Sequence, residues 1–317
     1  MARRQLPQRG AALLMAMLIV VLVSTLASAM IWQQWRAVQV EAAERARTQS
    51  ALILTGALDW ARLILAEDGK SGKPTTLSEP WATPLAEARL STFLAADKNN
   101  TDDGPEAFLS GRIADAQARY NLRNLVVPDS KVPGRNMVQP PELAALQKLF
   151  ASIGINSGLA QKIAVGLRDA LPAGRAAPAL LLPRSLEQLA WLGVDAESIR
   201  RMAPYVVILP NSTPINLNTA SREVIAASID GLDMGSAEAF LQKRQRAPFK
   251  VVEDARVLVP TLTINEARAN VAASTFFEVR GRLRLGDRSL EELTLVERRG
   301  TDLVPVQRQR ISHRDGG

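Results

Sequence analysis

The sequence predicts an α+β chain: a long N-terminal transmembrane helix packed on a small antiparallel sheet, with a large all-helical domain inserted into the sheet domain. Three observations carry that reading. Residues 10–35 hold no charge, residues 276–311 alternate apolar and polar side chains between turn signals, and residues 140–273 break into helix-like segments punctuated by Gly and Pro.

The first element follows from its length. The run AALLMAMLIVVLVSTLASAMIW exceeds the ~20 apolar residues that one bilayer crossing needs. Arg3, Arg4 and Arg9 precede it and the next charge is Arg36, so the arginine bias sets the N-terminus in the cytoplasm and the bulk of the chain in the periplasm. Neither Pro nor Gly interrupts residues 11–55, and apolar side chains recur at Val38, Ala42, Ala46, Leu52, Ile53, Trp60 and Ile64. One helix therefore runs out of the bilayer, and if it continues to Ala66 it measures about 80 Å at the α-helical rise. Ala27-Ser28-Ala29 offers the small-residue pattern of a signal-peptide cleavage site, but the apolar run exceeds an ordinary signal core and the helical pattern continues past it.

After Glu67, Pro74, Pro80 and Pro84 end the helix. Residues 108–113 read as a strand. In TFFEVRGRLRL, Phe277, Val279, Leu283 and Leu285 share one face while Glu278, Arg280, Arg282 and Arg284 share the other, a solvated one. Turns at Gly286-Asp287-Arg288 and Gly300-Thr301-Asp302 separate this strand from LEELTLVERR and LVPVQRQRI, giving an antiparallel meander. Between these strand regions lie PELAALQKLFASI, LAQKIAVGLRDAL, SLEQLAWLG, ESIRRMAPYVVIL and SREVIAASI, all helix-like, with Ser185 and Gln188 spaced as a capping box.

Composition removes several chemistries. There is no Cys and one His, His313, so disulfides, thiolate metal sites, histidine triads and most zinc sites have no support. Ser221 in NTASRE has no base nearby and reads as a helix start; the chain is not predicted to be an enzyme. The net charge of +7 speaks to nonspecific association more than to fold.

RRQLPQRG followed by AALLMAMLIVVLVSTLA resembles the leader and helix of type IV pilins and type II secretion pseudopilins. That resemblance implies cleavage by prepilin peptidase between Gly10 and Ala11 and methylation of Ala11. The family carries glutamate at the fifth mature position, where this chain has Met15. Without that carboxylate it can present its ammonium to a subunit below but offers no partner to one above, which suits the top of a filament. GRIADAQARYNLRNL, PINLNTASREVIAA and the inserted helical region together resemble minor pseudopilin K of type II secretion systems. The resemblance implies a non-catalytic tip subunit initiating pseudopilus assembly for export across the outer membrane. Its implied partners are minor pseudopilins I, J and H, the inner-membrane secretion platform and the exported substrate.

The expected organisation is a leader over 1–10, a transmembrane and extended helix over 11–66, and a pilin-like domain over 67–127 and 274–311. The helical insertion occupies 128–273. Within it, residues 214–256 are similar to a helix-hairpin-helix, whose turn can offer backbone amides to DNA phosphates. That sets the alternative reading, a membrane-anchored DNA-binding protein. Asp230 and Asp233 flank Gly231 in that turn and would repel phosphate, and the basic cluster Lys243, Arg244 and Arg246 lacks interleaved aromatics; nucleic acid is disfavoured. Relatives in the family often bind calcium in the helical insertion, where this chain keeps little acid beyond Asp169. The oxygen-rich loop with Asp97, Asp102 and Asp103 is the calcium candidate here, though without EF-hand spacing.

Overall fold

The computed structural model describes residues 9–90, 107–173, 180–286 and 288–314. The chain divides into two compact units, residues 1–55 and 56–317. Among the described residues of the first, the sole element is the N-terminal part of α1, a helix spanning Arg9–Lys70. Its apolar side chains lie bare: Leu14, Met15, Leu18, Val21, Leu22 and Ile31 each expose more than half their surface. None of the most apolar window of this helix is buried, and its length and hydropathy suffice to cross a membrane. The hydroxyls in the apolar run are satisfied within the helix, Thr25 Oγ1 donating to Leu22 O at 2.9 Å and Ser28 Oγ to Ser24 O at 2.8 Å. A span through hydrocarbon requires that internal satisfaction.

The second unit begins with the C-terminal turns of α1, which continue past the expected stop at Ala66 to Lys70. Gly72, at φ +62°, turns the chain there. Five antiparallel strands follow: β1 (Leu85–Arg89), β2 (Ala107–Asp115), β3 (Phe276–Leu285), β4 (Arg288–Arg299) and β5 (Asp302–Arg314). They pair in that order. Phe277, Val279, Val296 and Leu303 make a small core with Leu58, Ala61 and Leu65 of α1 and with Trp81. The Trp81 ring meets Phe277 edge-on at 5.5 Å, and Arg298 lies 4.7 Å over the opposite partner of that contact, the Phe277 ring, while bonding Asp68 at 2.8 Å. Phe276, next to Phe277, is buried as well: it turns to the other face and packs with Ala116, Val207, Leu209 and Leu295.

Between β2 and β3 lies the inserted segment, built on α2 (Pro140–Ser152), α3 (Gly158–Ala170), α4 (Ala196–Met202), α5 (Arg222–Ser228), α6 (Met234–Arg246) and α7 (Val252–Arg256). Local chemistry explains their limits. Pro140 and Pro141 open α2 where the missing N–H has no intrahelical partner, and Gly154 at φ +69° ends it. Asp195 and Asp233 cap α4 and α6 by accepting from Ser198 N and Ser236 N, both at 2.8 Å. Their apolar faces merge in one core that includes Leu122, Leu125, Leu146, Phe150, Ile163 and Phe240.

The insertion is not wholly helical in detail. Tyr120–Asn121 pairs in parallel with Val206–Val207, and Ile215–Asn216 with Ala269–Asn270. PYVVIL, expected as helix, leaves α4 because Pro204 cannot continue it and two β-branched valines follow in extended pairing. SLEQLAWLG forms a 3-10 helix, Glu187–Leu192. The capping box expected at Ser185 does not form; the Gln188 carboxamide accepts instead from Arg184 N at 2.7 Å. Of the five strands in the sheet, β1 escaped prediction, its LAEAR sequence having little intrinsic strand preference.

Candidate functional site

Of the residues singled out for function, Gly10 and Ala11 lie in the first turns of α1. Met15 stands on the bare apolar surface, 69% exposed. Asp97, Asp102 and Asp103, the calcium candidates, lie outside the described residues. Among the described residues no group of three or more His, Asp or Glu is placed to hold a metal ion.

The two stretches that carried the sequence resemblance come together in space. Asp115, at the end of β2, is buried and accepts four hydrogen bonds: from Gln117 N at 2.8 Å, Asn216 Nδ2 at 3.0 Å, Thr219 Oγ1 at 2.6 Å and Ser274 Oγ at 2.7 Å. Burial pushes its carboxyl above the usual range, while those four donors pull the other way. Asn216 Nδ2 also donates to Thr75 O, and Ser274 N to Thr75 Oγ1, both at 2.9 Å. Thr275 N donates to Gln117 Oε1 at 2.6 Å, and Gln117 Nε2 to Pro214 O at 3.1 Å. The end of β2, the late insertion and the approach to β3 thus meet on one carboxylate, and the segment after α1 joins them through Asn216 and Ser274.

The asparagines of YNLRNL extend this joint. Asn121 donates to Asn211 O at 2.8 Å and accepts from Leu209 N at 3.1 Å; Asn124 donates to Thr213 O at 2.8 Å and accepts from Thr213 N at 3.0 Å. An asparagine amide carries both a donor and an acceptor, so each one satisfies a buried backbone stretch that has no strand partner.

A second polar cluster lies inside the insertion. Arg268, 4% exposed, donates to Glu142 Oε1 and Asp230 Oδ1, both at 2.8 Å. Glu142 Oε2 also accepts from Tyr120 Oη at 2.9 Å. Burial, then the charge of Glu142, raises the Tyr120 phenol well above its usual value. Sequence reasoning missed both clusters, since their members come from different elements, up to 159 residues apart, and match no spacing motif.

The hairpin expected over 214–256 forms from α5, a turn with Gly231 at φ +79°, and α6. Its acidic turn is committed to the fold: Asp233 caps α6 and Asp230 pairs with Arg268. Lys148 Nζ closes the hairpin by donating to Ala226 O and Leu232 O, both at 2.6 Å. Arg244 donates to Leu217 O at 2.8 Å and Ala220 O at 2.6 Å, and burial lowers its pKa to about 10. The basic cluster therefore loses its central member to the interior. Ser221 accepts from Val224 N at 3.4 Å as the cap of α5, the role expected for it.

An exposed apolar helix joined to a small antiparallel sheet, with a large segment between neighbouring strands, defines a pilin-like α+β chain. Two family models, both described as type II secretion system protein K, match residues 118–211 and 215–275. The type II secretion system protein K of Pseudomonas aeruginosa is 28% identical, the match covering 93% of this chain and 90% of that protein. That of Pectobacterium carotovorum subsp. carotovorum is 25% identical over 95% and 96%. Over most of its length the chain is thus similar to type II secretion system protein K. Its fold matches a chain in the crystal structure of the GspK-GspI-GspJ complex from the enterotoxigenic Escherichia coli type 2 secretion system, with a TM-score of 0.62, 19% identity, and coverage of 84% of this chain and 98% of that one.

Proposed function

We propose that this chain is the tip subunit of a type II secretion pseudopilus, cleaved by prepilin peptidase between Gly10 and Ala11 and held in the inner membrane by α1 with the remainder in the periplasm. The observation that carries the reading is Met15 on a fully apolar, exposed helix face. A carboxylate there would cost roughly 2.5–3.5 kcal/mol at mid-bilayer unless paired. Its absence removes the acceptor that a subunit stacked above would need. The new ammonium of Ala11 remains available to a carboxylate on a subunit below. The segment between β2 and β3 is bulky for the body of a regular filament, which favours an end position.

Minor pseudopilins I and J are the first partners to expect, given the company in which the structural relative crystallised; minor pseudopilin H and the secretion platform follow from the same role. The exact domain limits, 67–127 with 274–311 for the pilin-like part and 128–273 for the insertion, belong to this proposal, as does calcium at Asp97, Asp102 and Asp103. The deciding experiment is mass spectrometry of the mature N-terminus from cells with and without prepilin peptidase. A methylated Ala11 start that depends on the peptidase is expected. A start at Met30 in both strains overturns the proposal.

A further inference from the structure

The apolar run of α1 is longer than a bilayer requires. Residues 10–35 hold no charge, and at the α-helical rise they measure about 39 Å, against about 30 Å of hydrocarbon. Charge alone therefore leaves the depth of α1 open by about six residues. Trp32 and Trp35 close that gap. They are the only aromatic residues in the sequence before Trp60, and both stand at the C-terminal end of the uncharged run. Each exposes 61% of its surface. An indole joins an apolar ring to one N–H donor, and tryptophans gather where hydrocarbon gives way to headgroups.

Arg36 completes the group. Positions 32, 35 and 36 are three and four apart on α1 and share one face. The exposed Arg36 guanidinium lies 5.8 Å from the centroid of the Trp32 ring, within reach of a cation–π contact. Among the described residues no carboxylate pairs with it: Glu41, the next charge along the helix, is bonded by Arg45. A cation without a protein anion thus stands on an aromatic ring at the end of the apolar run.

We propose that Trp32, Trp35 and Arg36 anchor α1 in the periplasmic headgroup layer of a phospholipid bilayer. The two indoles lie at the edge of the hydrocarbon, and Arg36 takes a lipid phosphate through its planar fork of N–H donors. The phosphodiester is the anion that glycerophospholipids share at that depth, and it supplies the partner that the helix itself does not. Beyond Arg36 the charges at Glu41, Glu44, Arg45 and Arg47 belong in water. The anchor rests on the reading that α1 spans the inner membrane with the remainder of the chain in the periplasm; it adds the depth of the helix and the groups that set it.

The chain has no cysteine, so the test places one nitroxide at a time on the side of α1 away from Trp32, through Ala27→Cys, Met30→Cys, Gln34→Cys and Val38→Cys. The full chain is reconstituted in phosphatidylcholine vesicles, whose neutrality removes attraction by net charge, and depth is read from relaxation by oxygen and by a water-soluble nickel chelate. Labels at 27 and 30 are expected in hydrocarbon, 34 at the boundary and 38 in water. In W32L/W35L/R36L the apolar run extends to Glu41, and the label at 38 is expected to sink by about 5 Å, one helical turn; in W60L it is expected to stay. A boundary one turn or more away from Gln34, a label at 38 unmoved in the triple variant, or one moved as far by W60L overturns the proposal. So does spin–spin broadening from Ala29→Cys, on the Trp32 face, that disappears on dilution with unlabelled chain, since a second copy would then cover that face. A chain that does not float with the vesicles overturns the membrane reading as well, whereas an unmoved label in a chain that floats overturns the anchor alone.

Discussion

Asn218 and Phe249 exchange a reciprocal pair of hydrogen bonds: Asn218 Nδ2 donates to Phe249 O and Phe249 N donates to Asn218 Oδ1, both at 2.9 Å. The side chain thus behaves as one rung of a strand ladder. It ties the loop after α6 to the segment before α5, and the Phe249 ring then packs on Phe240 at 5.9 Å. Replacement by alanine leaves a buried N–H and a buried C=O unpaired, at roughly 1–3 kcal/mol each. Asn218→Ala is expected to lose about 2–4 kcal/mol in urea unfolding followed by tryptophan fluorescence; a loss below about 0.5 kcal/mol would show that the pair is dispensable.

Asp115 makes a pH-dependent prediction. Its folded pKa is raised by burial, so its contribution to stability is fully present below the unfolded carboxyl pKa and is lost as pH rises through the folded value. The stability of the natural chain relative to Asp115→Asn is therefore expected to fall as the pH rises above the ordinary carboxyl value. A relative stability that rises over that range contradicts the assignment. Asp115→Ala strands four donors and is expected to cost about 3–5 kcal/mol below the ordinary carboxyl value, and less as the pH rises.

The pair of Glu142 and Arg268 sits deep in the insertion. Removing one partner of a buried ion pair costs about 3–5 kcal/mol, whereas replacing both with apolar groups of similar volume is often neutral. Arg268→Met is expected to destabilise by that amount, and the double variant R268M/E142L to recover most of it. Additive losses in the double variant would mean that each residue acts alone.

Gly111 lies opposite Gly281 in the middle of the sheet. A Cβ on Gly111 would stand 2.9 Å from the Arg280 carbonyl oxygen, a backbone atom that has no rotamer by which to move away. Gly111→Ala is expected to cost about 1–3 kcal/mol, read as a lowered unfolding midpoint. An unchanged midpoint would show that the strands part without penalty.

Much of the fold was legible because it rests on periodicity. The uncharged run of α1, the alternation of β3 and the Gly-punctuated meander of β4 and β5 are local patterns, and each formed where the residues placed it. What escaped depends on contacts distant in sequence. β1 is a strand because it can pair with β2, with an irregular register between Leu85 and Ala88, and not because Ala, Glu and Arg prefer extension. The Asp115 joint draws on Thr75, Asn216, Thr219 and Ser274, ordinary polar residues whose convergence only the tertiary structure reveals. For the candidate site, Gly10, Ala11 and Met15 could be named from the leader pattern alone.

Asp115, the last residue of β2, is in register with Phe277, the second residue of β3. To the sheet, the whole inserted segment is therefore the tip of a hairpin: it leaves one strand and rejoins its immediate neighbour at the same end. Closure entropy grows only logarithmically with loop length, so the segment could be lengthened, trimmed or exchanged among relatives without re-threading a strand. Its attachment would then be remade at the joint, where a few side-chain amides and hydroxyls act as the clasp.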